Sequence, residues 1–172
     1  IGRMGELSKH LRNFARKPNT QLSDVALPEA VAAVQEILGW RIRALEVNLR
    51  IDIPPLRVRA GPVRLQQVLV NILSNAMDAL EECERREITM TARVEGESGV
   101  LTIRDSGPGV PPQLIERIFD PFFSTKGVGK GLGLGLSISK QIVDAHKGTI
   151  KASNRTDRSG AVFAVVLPRA RK

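Results

Sequence analysis

The sequence predicts an α+β protein: a two-layer α/β sandwich with three helices over a mixed, mostly antiparallel sheet, preceded by part of a bundle helix. Three observations carry this expectation. Apolar residues recur at helical spacing in segments bounded by Gly or Pro. Between them, short runs alternate apolar and polar residues with the period of a half-buried strand. The order is helix, strand, helix, strands, loop, helix, strands, a grouping that disfavours a doubly wound parallel sheet.

Ile1–Lys17 reads as the end of a helix, because Met4, Leu7, Leu11 and Phe14 fall at the 3-4-3 spacing of a bundle seam and Pro18 stops it. Residues 1–18 are therefore expected to be the C-terminal part of a bundle helix, and 19–172 a second unit. Asn19–Leu27 is a polar link whose end, Asp24–Leu27, is extended. Pro28–Leu45 reads as one helix, with Pro in the first turn and Glu29 beside it. In Glu46–Ile53, Val47, Leu49, Ile51 and Ile53 alternate with polar residues, giving a half-buried strand that Pro54-Pro55 breaks. Leu56–Ala60 is a short edge strand. Gly61-Pro62 opens a second helix running to about Arg85. Ile88–Val94 and Val100–Arg104 pair across the Gly96–Gly99 turn. A Gly/Pro-rich stretch from Asp105 to Gly131 precedes a third helix, Gly133–His146, and Thr149–Ser153 with Ala161–Leu167 forms a terminal strand pair.

Composition narrows the function classes. Apolar residues make up 42% of the 172 residues and aromatics only 3%, so Leu, Ile, Val and Ala must fill the core. The single cysteine, Cys83, excludes an internal disulfide and favours a reducing compartment. No apolar run approaches the roughly 20 residues that span a bilayer, and Ile1–Asn13 mixes charge with apolar residues, unlike a signal peptide. A chain opening on Ile reads as an excised fragment, so membrane attachment through upstream segments stays open. The net charge of +8 is dispersed along the sequence and lacks interleaved aromatics. That disfavours nucleic acid and suits attraction of a small polyanion.

Four segments carry chemistry. On the second helix, Leu65, Val68, Leu69, Ile72, Leu73, Ala76 and Leu80 define one face, and Gln67, Asn71, Asn75 and Asp78 the opposite one. Asn is a mediocre helix former, so two of them one turn apart suggest amide oxygens offered to a hard cation. Asp105-Ser106-Gly107-Pro108-Gly109 follows a strand. Its glycines permit a sharp turn close to a flat ligand, and its carboxylate can accept a hydrogen bond from an exocyclic amine. Ile118–Phe123 concentrates three of five Phe in a Gly/Pro-rich setting and must anchor on something; Ser124-Thr125-Lys126 follows, within reach of phosphates. Finally, Gly127–Leu136 places glycines at alternate positions ahead of a helix, where backbone N–H groups can approach an anion. It is neither a Walker loop nor a clean dinucleotide fingerprint.

In this order the four segments resemble the N box, first glycine box, F box and second glycine box of the Bergerat-fold ATPase and kinase superfamily, over about Ser23 to Leu167. The details resemble sensor histidine kinases most: Asn71-x-x-x-Asn75-Ala, Phe119-Asp-Pro-Phe122, Gly131-Leu-Gly-Leu-Gly-Leu-Ser-Ile138 and Val143-Asp-Ala-His146-Lys-Gly148. Leu132 departs from the small residue usual at its place. Ile1–Lys17 is similar to the second helix of the dimerisation and histidine-phosphotransfer hairpin. The general likeness is to sensors for C4-dicarboxylates or nitrogen.

The resemblance implies an ATP-binding catalytic domain that uses Mg²⁺ and phosphorylates a histidine on a hairpin absent from this chain. It implies Asn71, Asn75 and Lys126 as catalytic residues, with Asn75 and Asn71 holding the metal. Nucleotide contacts fall to Asn71, Asn75, Asp78, Asp105, Gly107, Gly109, Phe119, Phe122, Lys126, Gly131, Leu132, Gly133, Leu134 and Gly135. The implied partners are the chain's own hairpin, within a homodimer, and a response regulator receiver domain. The implied setting is the cytoplasmic part of a bacterial inner-membrane sensor. True ATPases of the superfamily carry a Glu base where Asn71 stands, and an amide cannot act as a general base at neutral pH. A serine kinase of the anti-sigma type, or a nucleotide-gated ATPase module, is the alternative. His10 precedes Leu11-Arg12 rather than an acidic residue, and His146 at a helix end reads as a cation-tolerant cap, so neither is expected to be the acceptor. Cys83 reads as a helix residue and Trp40 as core or interface packing.

Overall fold

The computed structural model describes residues 21–124 and 134–171. The bundle helix expected at 1–18, His10, Lys126 and the glycine run through Gly131, Leu132 and Gly133 lie outside the described residues.

Seven strands and four helices build the described part. In chain order they are β1 (Ser23–Ala26), α1 (Leu27–Ile37), α2 (Gly39–Ala44), β2 (Asn48–Asp52), β3 (Arg57–Ala60), α3 (Pro62–Leu80), β4 (Glu87–Glu95), β5 (Ser98–Asp105), α4 (Gly135–Ala145), β6 (Thr149–Asn154) and β7 (Ala161–Pro168). Five strands form one sheet in the order β2-β4-β5-β7-β6. Only β2–β4 is parallel; the other three pairs are antiparallel. β1 and β3 pair antiparallel as a separate ribbon. The expected mixed, mostly antiparallel sheet with helices on it is therefore the observed architecture.

The core is aliphatic, as composition required. Leu65, Val68, Leu69, Ile72, Leu73, Ala76 and Leu80 of α3 are all buried, against Ile88 and Met90 of β4, Leu101 and Ile103 of β5, and Phe163 and Val165 of β7. Each fully buried large aliphatic contributes about 1.5–3 kcal/mol relative to exposure.

Three expectations change. The helix expected over Pro28–Leu45 is two helices. Leu38, at φ −96° and ψ 5°, leaves helical geometry ahead of Gly39, the weakest helix former after proline. The break exposes Ile37 and Trp40, so Trp40 is not core. The second helix stops at Leu80 rather than near Arg85, leaving Cys83 in the following turn. Arg86 ends it: its guanidinium donates to the carbonyls of Glu81 (2.7 Å), Cys83 (2.9 Å) and Leu45 (2.8 Å), satisfying chain-end oxygens of two helices. The third change concerns His146, which caps α4 as expected but is not a cation-tolerant surface group. It is 1% exposed, its Nε2 accepts the N–H of Gly61 at 2.7 Å, and burial lowers its pKa. The neutral imidazole thus joins the end of α4 to the start of α3. Lys147, at φ 60°, then closes the helix in a Schellman arrangement, with Gly148 N–H on Val143 O at 2.9 Å and Lys147 N–H on Asp144 O at 3.0 Å.

Candidate nucleotide site

One stripe of α3 organises the site. Asn71, Asn75 and Ala79 follow at i, i+4 spacing and so share one face over about 12 Å of helix. At one end of the stripe stands the start of α4. The Asn71 side-chain amide donates to Gly135 O at 3.0 Å and Ser139 Oγ at 3.2 Å, which fixes its rotamer and leaves its carbonyl oxygen for other partners. Leu134 and Gly135 lie at that helix start, Leu134 buried.

At the other end stands the turn after β5. A Cβ on Gly107 would come within 3.2 Å of Ala79 Cβ and 3.1 Å of Asp105 Oδ1, so glycine is what lets the turn close on α3. Asp105 is 3% exposed, and its Oδ1 accepts from Gly107 N–H at 2.9 Å and Ala161 N–H at 3.1 Å. Oδ2 takes no hydrogen bond among the described residues. Burial raises the Asp105 pKa, and the two N–H groups and the Arg155 charge pull it partly back.

A clasp from the β6–β7 hairpin holds this turn from behind. Asn154 accepts the Val110 N–H and donates to the Val110 carbonyl, both at 2.7 Å. Ser159 Oγ donates to Gly107 O at 2.6 Å, and Arg155 donates to Asp105 O at 3.3 Å. Gly109 sits at φ 81° with no room for a Cβ beside Asn154, and Gly160 sits at φ 146°, where a Cβ would lie 2.0 Å from Asp105 O. Below the turn, Ser106 exchanges hydrogen bonds with Glu87: Ser106 N–H to Glu87 O at 3.0 Å and Glu87 N–H to Ser106 Oγ at 2.8 Å.

Sequence reasoning missed Asn154, Arg155, Ser159 and Gly160. The available signal was Asn154 ending a strand, where Asn is disfavoured, followed by a run of turn formers.

The other expected residues separate. Asp78 pairs with Arg41 of α2, which also reaches Glu81 at 3.3 Å. Phe119 is half-buried against the core, and its turn, Arg117–Phe119, packs on α4. Phe122 is 61% exposed at φ 65°. The Arg117 guanidinium lies 4.8 Å from the Phe123 ring centroid.

Known proteins share this fold and part of this sequence. The profile of the family described as "Histidine kinase-, DNA gyrase B-, and HSP90-like ATPase" matches residues 60–171. The catalytic domain of histidine kinase ThkA, nucleotide-free, superposes with a TM-score of 0.77 at 34% identity, covering 87% of this chain and 96% of that one. ThkA in complex with response regulator protein TrrA gives a TM-score of 0.80 at 28% identity, over 98% of this chain and 48% of that one. The C4-dicarboxylate transport sensor protein DctB of Pseudomonas aeruginosa is 36% identical over 169 residues, 96% of this chain and 28% of the relative. The chain belongs to the histidine kinase-, DNA gyrase B- and HSP90-like ATPase family, and within it to the ATP-using catalytic domains of two-component sensor histidine kinases. It spans less than a third of the length of DctB.

Proposed function

We propose that this domain binds ATP with Mg²⁺ and transfers the γ-phosphoryl group to a histidine on a dimerisation and phosphotransfer hairpin. The observation that carries this is the single stripe of α3, with an amide pair at its α4 end and a buried carboxylate at the other. Asp105 Oδ2 accepts the exocyclic amine of adenine, with Gly107 and Gly109 letting the base approach. Guanine presents a carbonyl there and is rejected. Among the described residues no group of His, Cys, Asp or Glu is dense enough to cage a metal. The cation therefore suits amide oxygens and phosphates together: Asn75 directly, with Asn71 beside it. Bound there, Mg²⁺ neutralises phosphate charge. Lys126 and the backbone from Gly131 to Gly135 hold the phosphates ahead of α4, and Phe119 and Phe122 shape the cover.

The acceptor imidazole, neutral and already nucleophilic, attacks phosphorus as the bond to the bridging oxygen breaks and ADP leaves with its electron pair. No residue is required to activate water, consistent with Asn71 at that position. In this reading residues 1–18 are the end of the hairpin's second helix and 19–172 the catalytic domain. The hairpin makes a homodimer, and a response regulator takes the phosphoryl group, as the ThkA–TrrA complex suggests by analogy. The setting is the cytoplasmic side of a bacterial inner membrane; no helix among the described residues is long and apolar enough to cross one.

The test is radiolabel transfer from γ-labelled ATP with the domain alone, then with a separate hairpin carrying the acceptor. Slow labelling of the hairpin only, acid-labile and base-stable, is expected. Acid-stable label on Ser or Thr would establish a serine kinase. Rapid release of phosphate by the domain alone would establish an ATPase.

A further inference from the structure

The charge that is dispersed along the sequence is partly gathered by the fold. In the parallel register, Leu49 pairs with Ile88 and Arg50 with Thr89. Ile88 is buried under the helices, so strand alternation puts Arg50 and Thr89 on the opposite, open face of the sheet. A cavity of about 310 Å³ lies there, and Arg50, Arg85, Thr89, Arg155 and Arg158 line it with a single acid, Glu87.

The internal pairing is incomplete. Arg85 meets Glu87 at 2.9 Å, and Arg158 reaches the same carboxylate oxygen at 3.9 Å. Arg155 grips Asp157 at the rim through two bonds of 3.1 and 2.9 Å, while Arg158 reaches it at 3.4 Å. Arg50 makes no ion pair or hydrogen bond among the described residues. Four guanidiniums thus share two carboxylates, a surplus of two positive charges around one concavity. A face built for solubility alone would disperse such a surplus.

The lining also defines the ligand. Guanidinium forks match the paired oxygens of carboxylates and phosphates, and Thr89 adds a hydroxyl. With no aromatic in the lining, there is no platform for stacking nucleic-acid bases. The volume is that of a small-molecule site rather than a groove for an extended acidic segment. Arg155 is preset by its bonds to Asp157 and Asp105 O.

We propose that this pocket binds a compact oxyanion of two or more negative charges, a polycarboxylate or phosphate, at a site separate from the nucleotide cleft. The inference does not depend on the nucleotide reading, which ADP titration alone tests.

The experiment titrates the isotope-labelled chain, in saturating ADP, with tricarballylate and in a second arm with inorganic phosphate, following amide resonances and heats. At least one anion is expected to saturate one site below about 1 mM, with shifts at Asn48–Arg50, Glu87–Thr89 and Arg155–Arg158. The joint change Arg50→Ala and Arg158→Ala should weaken that binding about tenfold or more while ADP affinity holds within about twofold. Should that variant fold poorly, Arg50→Gln alone and the shift map carry the same test. Three results would overturn the proposal: no saturation by either anion, affinity unchanged in the variants, or capture of an acidic peptide or nucleic acid where neither small anion binds.

Discussion

The two ends of the α3 stripe are built differently. At the Asp105 end, every element that would hold a base is fixed by protein–protein hydrogen bonds: two N–H groups on Asp105 Oδ1, Ser159 on Gly107, and Asn154 on Val110. At the Asn71 end, one side-chain amide ties α3 to α4, while its oxygen awaits another partner. If the proposed assignments hold, base recognition is preorganised in the fold, whereas the end proposed for metal and phosphates is left for the ligand to complete.

The largest effect should come from adding one carbon to the clasp. Gly160→Ala drives a Cβ into Asp105 O from a backbone conformation that alanine avoids. It should cost about 3 kcal/mol or more and abolish ADP binding, read by denaturant unfolding and calorimetry. If the variant unfolds like the parent, the base end is not rigid and the contrast fails. Asn75→Ala should lower phosphotransfer by about a hundredfold or more, close to 2.7 kcal/mol, while adenosine binds almost as before. Retained Mg²⁺ dependence would move the ion to another residue.

Asp105→Asn separates fold from recognition. Its Oδ1 can still accept both N–H groups, but an amide donor then faces the adenine amine, so ATP binding should weaken by about 1.5–3 kcal/mol. Stability should behave oppositely. A raised folded-state pKa means the proton-linked stability is present below the unfolded value of 3.8 and is lost as pH rises through the folded pKa. Removing the charge should therefore leave Tm at pH 7 unchanged or higher. Equal affinity of the parent for ATP and GTP would refute the Asp105 assignment.

Asn154→Ala removes two bonds to Val110 and should cost about 1–2 kcal/mol in unfolding experiments. A loss confined to nucleotide affinity would show that the clasp serves binding rather than folding. The smallest effect lies at the far end of α4. With its folded pKa lowered, His146 leaves stability intact above its unfolded value of 6.5 and takes it away as pH falls toward the folded pKa. The slope is at most about 1.4 kcal/mol per pH unit. His146→Gln, which keeps an acceptor for Gly61, should flatten that part of the pH profile between 7.5 and 5.5.

Much of this architecture was legible because period and burial agree. Every residue assigned to the apolar face of α3 is buried, and the β4–β5 and β6–β7 pairs follow the alternation. The break at Leu38 was not, because Ile42 and Leu45 continue the apolar pattern past Gly39 and only the backbone angles reveal it. Asn71, Asn75 and Asp105 could be singled out by residue type. The clasp's turn left a trace in residue type, but its partners did not, since Asn154 meets Val110 and Ser159 meets Gly107 across long stretches of chain, with no local period to report them. The same holds for His146, whose partner Gly61 lies on another element.

The parallel pairing of β2 has a consequence during synthesis. β4 and β5 form a two-residue hairpin that can close in microseconds. β2 emerges earlier, but among the described residues its one neighbour in the sheet is β4, which follows β3 and all of α3. At ribosomal speeds that leaves β2 without its partner for roughly seconds. Its alternation of Leu49 and Ile51 with Arg50 and Asp52 puts charges of both signs on the interval, the pattern that keeps an unpaired edge from recruiting another chain while it waits.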